Sequence, residues 1–232
     1  MKVFDNIPVY LDVQEVSKWL HLNKESERSN DVQELVEIAN SVIKPKAAYK
    51  VSYVGNKSED AVNVGGVRFT SRILRINLDR VERVFPYIVT IGKELEDRAV
   101  SFHDFLKQFY LYKIGDKALD STRKYLEDYL KRNYRLGQIS RMSPGSLEDW
   151  PITQQKQLFS IFGNVEDLMG VKLTNSLLMI PRKSVSGIYF PTEVTFYSCQ
   201  LCPRKSCKER KAPYDRNLEE SYKNRRLTTP KI

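Results

Sequence analysis

The longest feature of the sequence is a helical pattern that runs from about Phe105 to Tyr134. Its apolar side chains recur on one face, at Phe109, Tyr112, Ile114, Gly115, Ala118, Leu119, Tyr125 and Leu126. Such a stripe is typical of a helix that packs against a core on one side. The acidic residues Asp116, Asp120 and Glu127 lie close to the stripe and need a separate explanation.

Both helices and strands are predicted before this long helix. Apolar residues at helical spacing predict a helix over 30–43, which Pro45 ends. The segments "AYKVSYV" and "AVNVGGVRFTS" are typical of strands, and Gly65-Gly66 in the second predicts a tight turn. "LDRVERVF" predicts a short helix stopped by Pro86, "YIVTIG" a buried strand, and "KELEDRAV" a further helix.

After the long helix, "GQISRMSPGSLEDW" breaks all periodicity and predicts a loop between two helices. "TQQKQLFSIF" follows as a helix with Thr153 as its cap, and "VEDLMG" as a helical turn. The stretch from Ser176 to Cys199 predicts two or three strands interrupted by Pro181 and Pro191. Mixed elements with a late antiparallel run favour an α+β fold over a doubly wound parallel sheet.

Composition narrows the function classes. The 232 residues are 41% hydrophobic, which suffices for a core, and we see neither a signal peptide nor a membrane-spanning stretch, so we expect a soluble cytoplasmic protein. Six of the nine net positive charges fall between Cys199 and Ile232. This basic tail could hold phosphate, but no zinc-finger pair, RNA-binding signature or helix-turn-helix spacing accompanies it, so nucleic acid is not the favoured partner.

All three cysteines, Cys199, Cys202 and Cys207, lie within "YSCQLCPRKSCKERK". In a reducing compartment, an odd, clustered set of cysteines suits a metal site or redox chemistry better than structural disulfides. The two histidines, His21 and His103, lie near neither a cysteine nor clustered carboxylates, so a histidine-based triad or metal site is weakly supported.

A second candidate site is the "SRMSPGS" segment. Arg141 beside the Ser143-Pro144-Gly145 turn can present its planar guanidinium to a carboxylate, while the turn exposes backbone N–H and C=O groups. From the spacing alone, a solvent-exposed arginine in a linker is the favoured interpretation.

The motifs resemble the S-adenosylmethionine-binding activation domain of cobalamin-dependent methionine synthase. "SRMSPGS", "GVKLTNSLLMIPRKSVSGIYF" and the pair Phe196-Tyr197 resemble that family's Arg-x-x-Pro-Gly-Tyr loop, its G-x-K-L-T-x-S and S-V-S-G-x-Y-F stretches and its Tyr-Tyr pair. The resemblance is dense from Gly115 to Tyr197 and weaker from Asn30 to Gly92. It implies a curved antiparallel sheet flanked by helices over residues 1–198, followed by a Cys-containing basic extension over 199–232.

The resemblance also implies a chemistry. Cobalamin is occasionally oxidised to inactive cob(II)alamin, and such domains bring it S-adenosylmethionine so that a one-electron reduction is trapped by methylation. Because this sequence contains no cobalamin-binding module, we expect a separate partner that carries the cobalamin, a corrinoid-dependent methyltransferase or corrinoid protein. The electron would come from a donor such as a flavoprotein or ferredoxin.

The family's ligand-binding residues carry over to seven positions. Arg141 matches the arginine that holds the methionine portion of the ligand, and Asp120 is a shorter equivalent of a ligand-binding Glu. Ser143, Pro144 and Gly145 match the loop whose backbone approaches the ligand, with Gly145 at the point where a side chain would obstruct it. An aromatic residue of the site matches Tyr197 without a gap, or Phe196 with one gap. The resemblance assigns no catalytic residue.

Two departures bear on ligand affinity. The family's Tyr after the glycine is Ser146 here, so one wall of the pocket is missing or is supplied by Trp150. The family's N-terminal Asp ligand has no counterpart in "FDNIPVYLDV".

The three cysteines are a further departure, because the usual activation domain has no such cluster. Cys-x-x-Cys-x-x-x-x-Cys could hold an iron–sulfur cluster that relays the electron, or structural zinc, with Asp215 or Glu209 as the fourth donor, or remain as free thiols. Three function classes follow: a reactivating S-adenosylmethionine-dependent protein, a non-catalytic docking or electron-relay module for a corrinoid protein, and a metal-stabilised basic domain that binds nucleic acid.

Overall fold

The computed structural model describes residues 1–21, 29–207 and 210–224, so the predictions for Glu209 and for the last eight residues lie outside the described chain. The helices are α1 (Val13–Trp19), α2 (Ser29–Val42), α3 (Arg72–Asn77), α4 (Glu94–Val100), α5 (Phe105–Asn133), α6 (Gln155–Ser160), α7 (Val165–Met169) and α8 (Arg216–Asn224). The strands are β1 (Lys2–Phe4), β2 (Lys46–Tyr49), β3 (Ser52–Lys57), β4 (Ala61–Val64), β5 (Val67–Thr70), β6 (Arg83–Thr90), β7 (Ile139–Met142), β8 (Lys172–Leu173), β9 (Met179–Ile180) and β10 (Ser184–Pro191). Short 3₁₀ helices cover Ile152–Gln154 and Ser198–Leu201.

Eight of these strands form one antiparallel sheet in which β6 is central. One edge of β6 pairs with β2 and then with β3, and its other edge pairs with β10. β10 in turn pairs with β7, for which no further partner strand is recorded among the described residues. β8 and β9 form a separate small hairpin. The predicted α+β class, an antiparallel sheet flanked by helices, is confirmed.

Helices cover both faces of the sheet because the side chains of β6 alternate between them. Phe85, Tyr87 and Val89 pack on the face that α5 covers, with Leu126 and Leu130 of that helix. On the opposite face, Val84 and Ile88 of β6 pack against α3, α6 and α7. A strand buried on both faces appears in the sequence as a continuous apolar run rather than an alternating one.

The predicted helix over "LDRVERVF" is wrong, because the chain from Arg83 onward is already β6. Pro86 does not stop an element but lies inside this strand. Its carbonyl accepts the Lys50 N–H at 3.0 Å, at the junction where the partner strand changes from β2 to β3. Since the N–H and C=O of one strand residue point to the same side, the missing proline N–H faces this junction rather than a continuous ladder.

The other elements agree with the sequence to different degrees. α2, α4 and α5 lie where they are predicted, and the β4–β5 turn uses Gly65 and Gly66 with φ of +57° and +85°. The Asp104 carboxylate caps α5 by accepting the N–H groups of the next turn. Thr153 is not a helix cap but lies inside a 3₁₀ turn. The run after Ser176 contains β9 and β10, and within the described chain it has no strand beyond Pro191.

None of the described helices combines the length and the apolar composition needed to cross a membrane.

Candidate functional site

Arg141 lies on strand β7 rather than in the predicted loop between two helices. Its backbone pairs with Tyr189 of β10, and its side chain lies on the α5 face of the sheet. There its Nη1 atom is 4.0 Å from Glu127 Oε2, and 26% of the side chain is exposed. A strand fixes the position of the guanidinium more firmly than a loop would, because ladder hydrogen bonds hold its backbone.

Asp120 faces Arg141 from helix α5, within a group of charged side chains. Arg123 Nη2 donates to Asp120 Oδ1 at 2.6 Å, and Arg123 Nη1 donates to Glu127 Oε2 at 3.1 Å. Glu127 also accepts from Lys131 at 2.8 Å. Arg123 was not among the predicted site residues, and Glu127 had no predicted role, although spacings of three and four residues place these side chains on one face of a helix.

The charges of this group act on its pKa values. Burial alone would raise the pKa of Asp120, but the hydrogen bond and charge of Arg123, with the charges of Lys211 and Arg141, lower it below its ordinary value. Burial alone would lower the pKa of the Arg123 guanidinium. The hydroxyl of Tyr189 and the carboxylate of Asp120 have the larger effect and raise this pKa above its ordinary value. Both members of the pair are therefore charged near neutral pH.

Two buried tyrosines lie beneath the charged group. Arg123 Nη1 donates to the Tyr189 hydroxyl at 3.2 Å, and the Tyr189 ring lies 4.4 Å from that of Tyr87. Burial is the main cause that raises the pKa of each of these phenols. The floor of the candidate site is therefore aromatic, and both phenols are protonated near neutral pH.

The predicted Ser143-Pro144-Gly145 loop follows β7 directly. The Ser143 carbonyl accepts from the backbone and the side chain of Ser146, and Gly145 N–H donates to the Trp150 carbonyl at 2.7 Å. Gly145 has a φ of +81°, and a Cβ there would lie 2.9 Å from Ile152 Cδ1. Glycine at this position is thus required by the turn itself, whatever the ligand.

Of the two alternatives for the pocket wall opposite Ser146, the structure does not support Trp150. Its side chain is fully buried in the core, where its ring packs edge-on against Phe69 at a centroid distance of 5.8 Å.

The two candidate aromatic residues lie in different environments. Phe196 is buried in the core on the face opposite α5, with its ring 5.8 Å from that of Tyr222. Tyr197 is 37% exposed, and the next residue, Ser198, donates its hydroxyl hydrogen to Ser146 Oγ at 3.3 Å. The chain therefore brings Tyr197 next to the loop that follows β7, whereas Phe196 lies in the core.

The cysteine segment folds back toward α5. Arg210 donates to the carbonyl oxygens of Cys199 at 3.0 Å and Cys202 at 3.2 Å. The neighbouring Lys211 contacts both the cysteines and α5. Its backbone N lies 3.5 Å from Cys199 Sγ, and its side-chain Nζ lies 3.6 Å from Asp120 Oδ1. The basic residues of this segment thus connect the cysteines to the candidate ligand site.

The three cysteines are free thiols in the structure, with Cys207 exposed and the other two half-buried. Within residues 1–21, 29–207 and 210–224, no three His, Cys, Asp or Glu side chains converge as metal ligands would. One of the two predicted fourth donors, Asp215, instead caps α8 by accepting the Leu218 N–H at 2.9 Å.

Residues 86–212, more than half of the chain, match the family model described as "Vitamin B12 dependent methionine synthase, activation domain". No curated protein matches the sequence. The fold is similar to that of a solved structure titled "Crystal Structure of the MetH Reactivation Domain bound to AdoHcy", with a TM-score of 0.54 and 17% sequence identity, over 85% of this chain and 81% of that one. This chain belongs to the family of vitamin B12-dependent methionine synthase activation domains.

Proposed function

We propose that this chain binds S-adenosylmethionine beside strand β7 and supports the reductive methylation of an oxidised corrinoid on a separate methionine synthase-like methyltransferase or corrinoid protein. Its family membership supports this proposal, as does the AdoHcy bound to the structurally similar reactivation domain. The observation that carries it is the position of Arg141 and Asp120. They come from an edge strand and a helix, and both contact the same group of charged side chains.

Each candidate residue has a physical role in this proposal. Arg141 would pair with the carboxylate of the methionine portion, for which a planar guanidinium is the matching donor. Asp120 would face the ammonium or sulfonium group. Backbone groups of the Ser143-Pro144-Gly145 loop would contact the ligand, and Tyr197 would provide an aromatic surface. Phe196 stays the second choice for that surface because it is buried in the core.

The proposed reaction needs little covalent chemistry from the protein. One electron from a donor such as a flavoprotein or ferredoxin reduces the cob(II)alamin substrate to cob(I)alamin. Cobalt then forms a bond to the methyl carbon with its own electron pair. The carbon–sulfur bond breaks, and its electron pair stays on sulfur, which leaves S-adenosylhomocysteine. We assign no general acid or base, because no proton is transferred and the protein holds the two reactants together.

Calorimetric titration with S-adenosylmethionine tests the proposal. We expect saturable binding by the wild type and loss of binding in Arg141→Ala. Arg68→Ala is the matched control, because Arg68 also lies on an edge strand of the same sheet, β5, and is far from the site in the strand order. Absence of binding by the wild type, or equal binding by Arg141→Ala, would contradict the proposed site.

The cysteine segment leads to a second part of the proposal. The thiols of Cys199, Cys202 and Cys207 do not converge in this structure, so they would have to move together to hold a cluster that relays the electron. Lys211 already joins Cys199 to Asp120. Structural zinc and free thiols are the alternatives. Iron and zinc analysis of anaerobically purified protein, with its visible absorption, separates the three. A colourless protein with zinc and no iron would exclude the redox role, and a protein without either metal would leave free thiols.

A non-catalytic docking module is the second candidate function. It is supported by the ion pair between Arg123 and Asp120, which already neutralises the carboxylate that the ligand would use. Two results together would favour this function. The wild type would not bind S-adenosylmethionine, and the Arg141→Ala variant would still bind the partner. The third class, nucleic-acid binding through the basic segment, predicts an affinity for DNA or RNA that falls steeply with salt.

A further inference from the structure

Arg123 is a buried cation inside the proposed ligand site. Its side chain is only 11% exposed, and its guanidinium contacts Asp120 at 2.6 Å, Glu127 at 3.1 Å and the Tyr189 hydroxyl at 3.2 Å. Contacts on three sides hold the guanidinium in place, since moving it would leave a buried charge without partners.

Positive charge exceeds negative charge around Asp120. Two carboxylates, those of Asp120 and Glu127, are shared among the cations of four residues, which are Arg123, Arg141, Lys131 and Lys211. Both Arg123 and Lys211 contact the same carboxylate oxygen, Asp120 Oδ1. The carboxylate is therefore already compensated before any ligand arrives.

This balance affects the two forms of the ligand differently. S-adenosylmethionine and S-adenosylhomocysteine share the adenosine, the carboxylate and the ammonium group, and they differ in the methyl group and positive charge on sulfur. A neighbouring fixed cation repels the sulfonium and has no comparable effect on the neutral thioether.

We infer that Arg123 determines the charge specificity of the site, lowering the affinity for the cationic sulfonium relative to the neutral thioether. The inference rests on the proposed binding of S-adenosylmethionine and concerns a residue that the proposed ligand contacts do not include. Arg123 is in this sense a specificity residue that acts through its charge beside Asp120.

Arg123→Met removes the charge and keeps a long side chain, whereas Arg123→Lys keeps the charge. Titration calorimetry of both ligands gives the ratio of the dissociation constant for S-adenosylhomocysteine to that for S-adenosylmethionine. We expect Arg123→Met to raise this ratio about three- to tenfold, because it removes a fixed positive charge whose repulsion of the sulfonium is weakened by an effective dielectric constant of about 20 and by solvent screening. Arg123→Lys should keep the ratio within about twofold of the wild type.

Arg75→Met is the control for the loss of a buried guanidinium. Arg75 is 2% exposed and pairs with Asp79 at 2.6 Å on helix α3, on the sheet face opposite α5. We expect this variant to lose stability without a change in the ratio. A purely structural role of Arg123 would instead weaken both ligands by the same factor, and that result would overturn the inference.

Three further outcomes are decisive. If Arg123→Met does not fold, Arg123→Gln is measured in its place, because it removes the charge and keeps a hydrogen-bond donor for Asp120, and the same rise in the ratio is expected. A constant or falling ratio would overturn the inference. Wild-type protein that binds neither ligand would overturn the proposed function and, with it, the inference. Binding of both ligands with no effect of residue 123 on the ratio would overturn the inference alone.

Discussion

Gly187→Ala should separate strand β7, which carries Arg141, from strand β10. A Cβ at residue 187 would lie 2.5 Å from the Met142 carbonyl oxygen, 2.6 Å from Ser143 Oγ and 3.1 Å from Tyr87 Cε1. The distance to the Met142 oxygen is about 0.9 Å shorter than an ordinary van der Waals contact. Because this oxygen belongs to the backbone, a change of side-chain rotamer cannot relieve the overlap. The strand ladder at Met142 therefore has to open.

The magnitude follows from overpacking in a region without free space. We expect a loss of about 2–3 kcal/mol in the free energy of unfolding. In a domain of this size this corresponds to a decrease of roughly 4–12 °C in Tm. Urea denaturation and thermal melting measure the two quantities, and titration with S-adenosylmethionine should show weaker binding because Arg141 moves with β7.

Gly137→Ala is the matched control, since a Cβ there meets nothing within 4 Å. We expect this variant to be as stable as the wild type or slightly more stable, because alanine restricts the unfolded chain. A Gly187→Ala protein whose stability is within about 0.5 kcal/mol of Gly137→Ala would refute the reasoning from close contact.

Three further perturbations test other parts of the structure. Trp150→Ala should cost about 3–5 kcal/mol in urea denaturation, because Trp150 is fully buried against Phe69. Asp149→Ala should cost about 1–3 kcal/mol in the same assay, since this carboxylate accepts the N–H groups of Arg72 and Ile73 at the start of α3. The lowered pKa of Asp120 means that its ion pair stabilises the fold above its ordinary pKa of 3.8. The stability difference between wild type and Asp120→Asn should be constant above about pH 5 and shrink as the pH falls from 3.8 toward the lower pKa of the folded protein. A difference independent of pH would contradict the assigned ion pair.

Much of the architecture could be predicted from local patterns. The period of apolar residues in α2 and α5 and the glycine pair of the β4–β5 turn involve neighbours in sequence, and the structure confirms them. The strand β6 could not be predicted in full. Its first residues, "RVF", include a charge and precede a proline, and only its pairing with β2, β3 and β10 makes that segment a strand.

The candidate site could likewise be predicted only in part from the sequence. The motif around Arg141 identified the family, and the family model confirms that identification. The motif did not place Arg141 on a strand, and it did not reveal that Arg123 pairs with Asp120. The residues around Trp150 in the sequence do not determine whether its side chain lines a pocket or fills the core.

The sequence by itself determined the helices with strong periodicity, the α+β class and the family, because these depend on local spacing and on motifs that occur in order along the chain. The tertiary structure alone decided which face each side chain occupies. It buried Phe196 and Trp150, left Tyr197 beside the loop after β7, and brought Arg141 and Lys211 to the carboxylates of α5. The physical reason is that burial and charge pairing depend on residues far apart in the chain, which only the folded backbone brings within a few ångströms of each other.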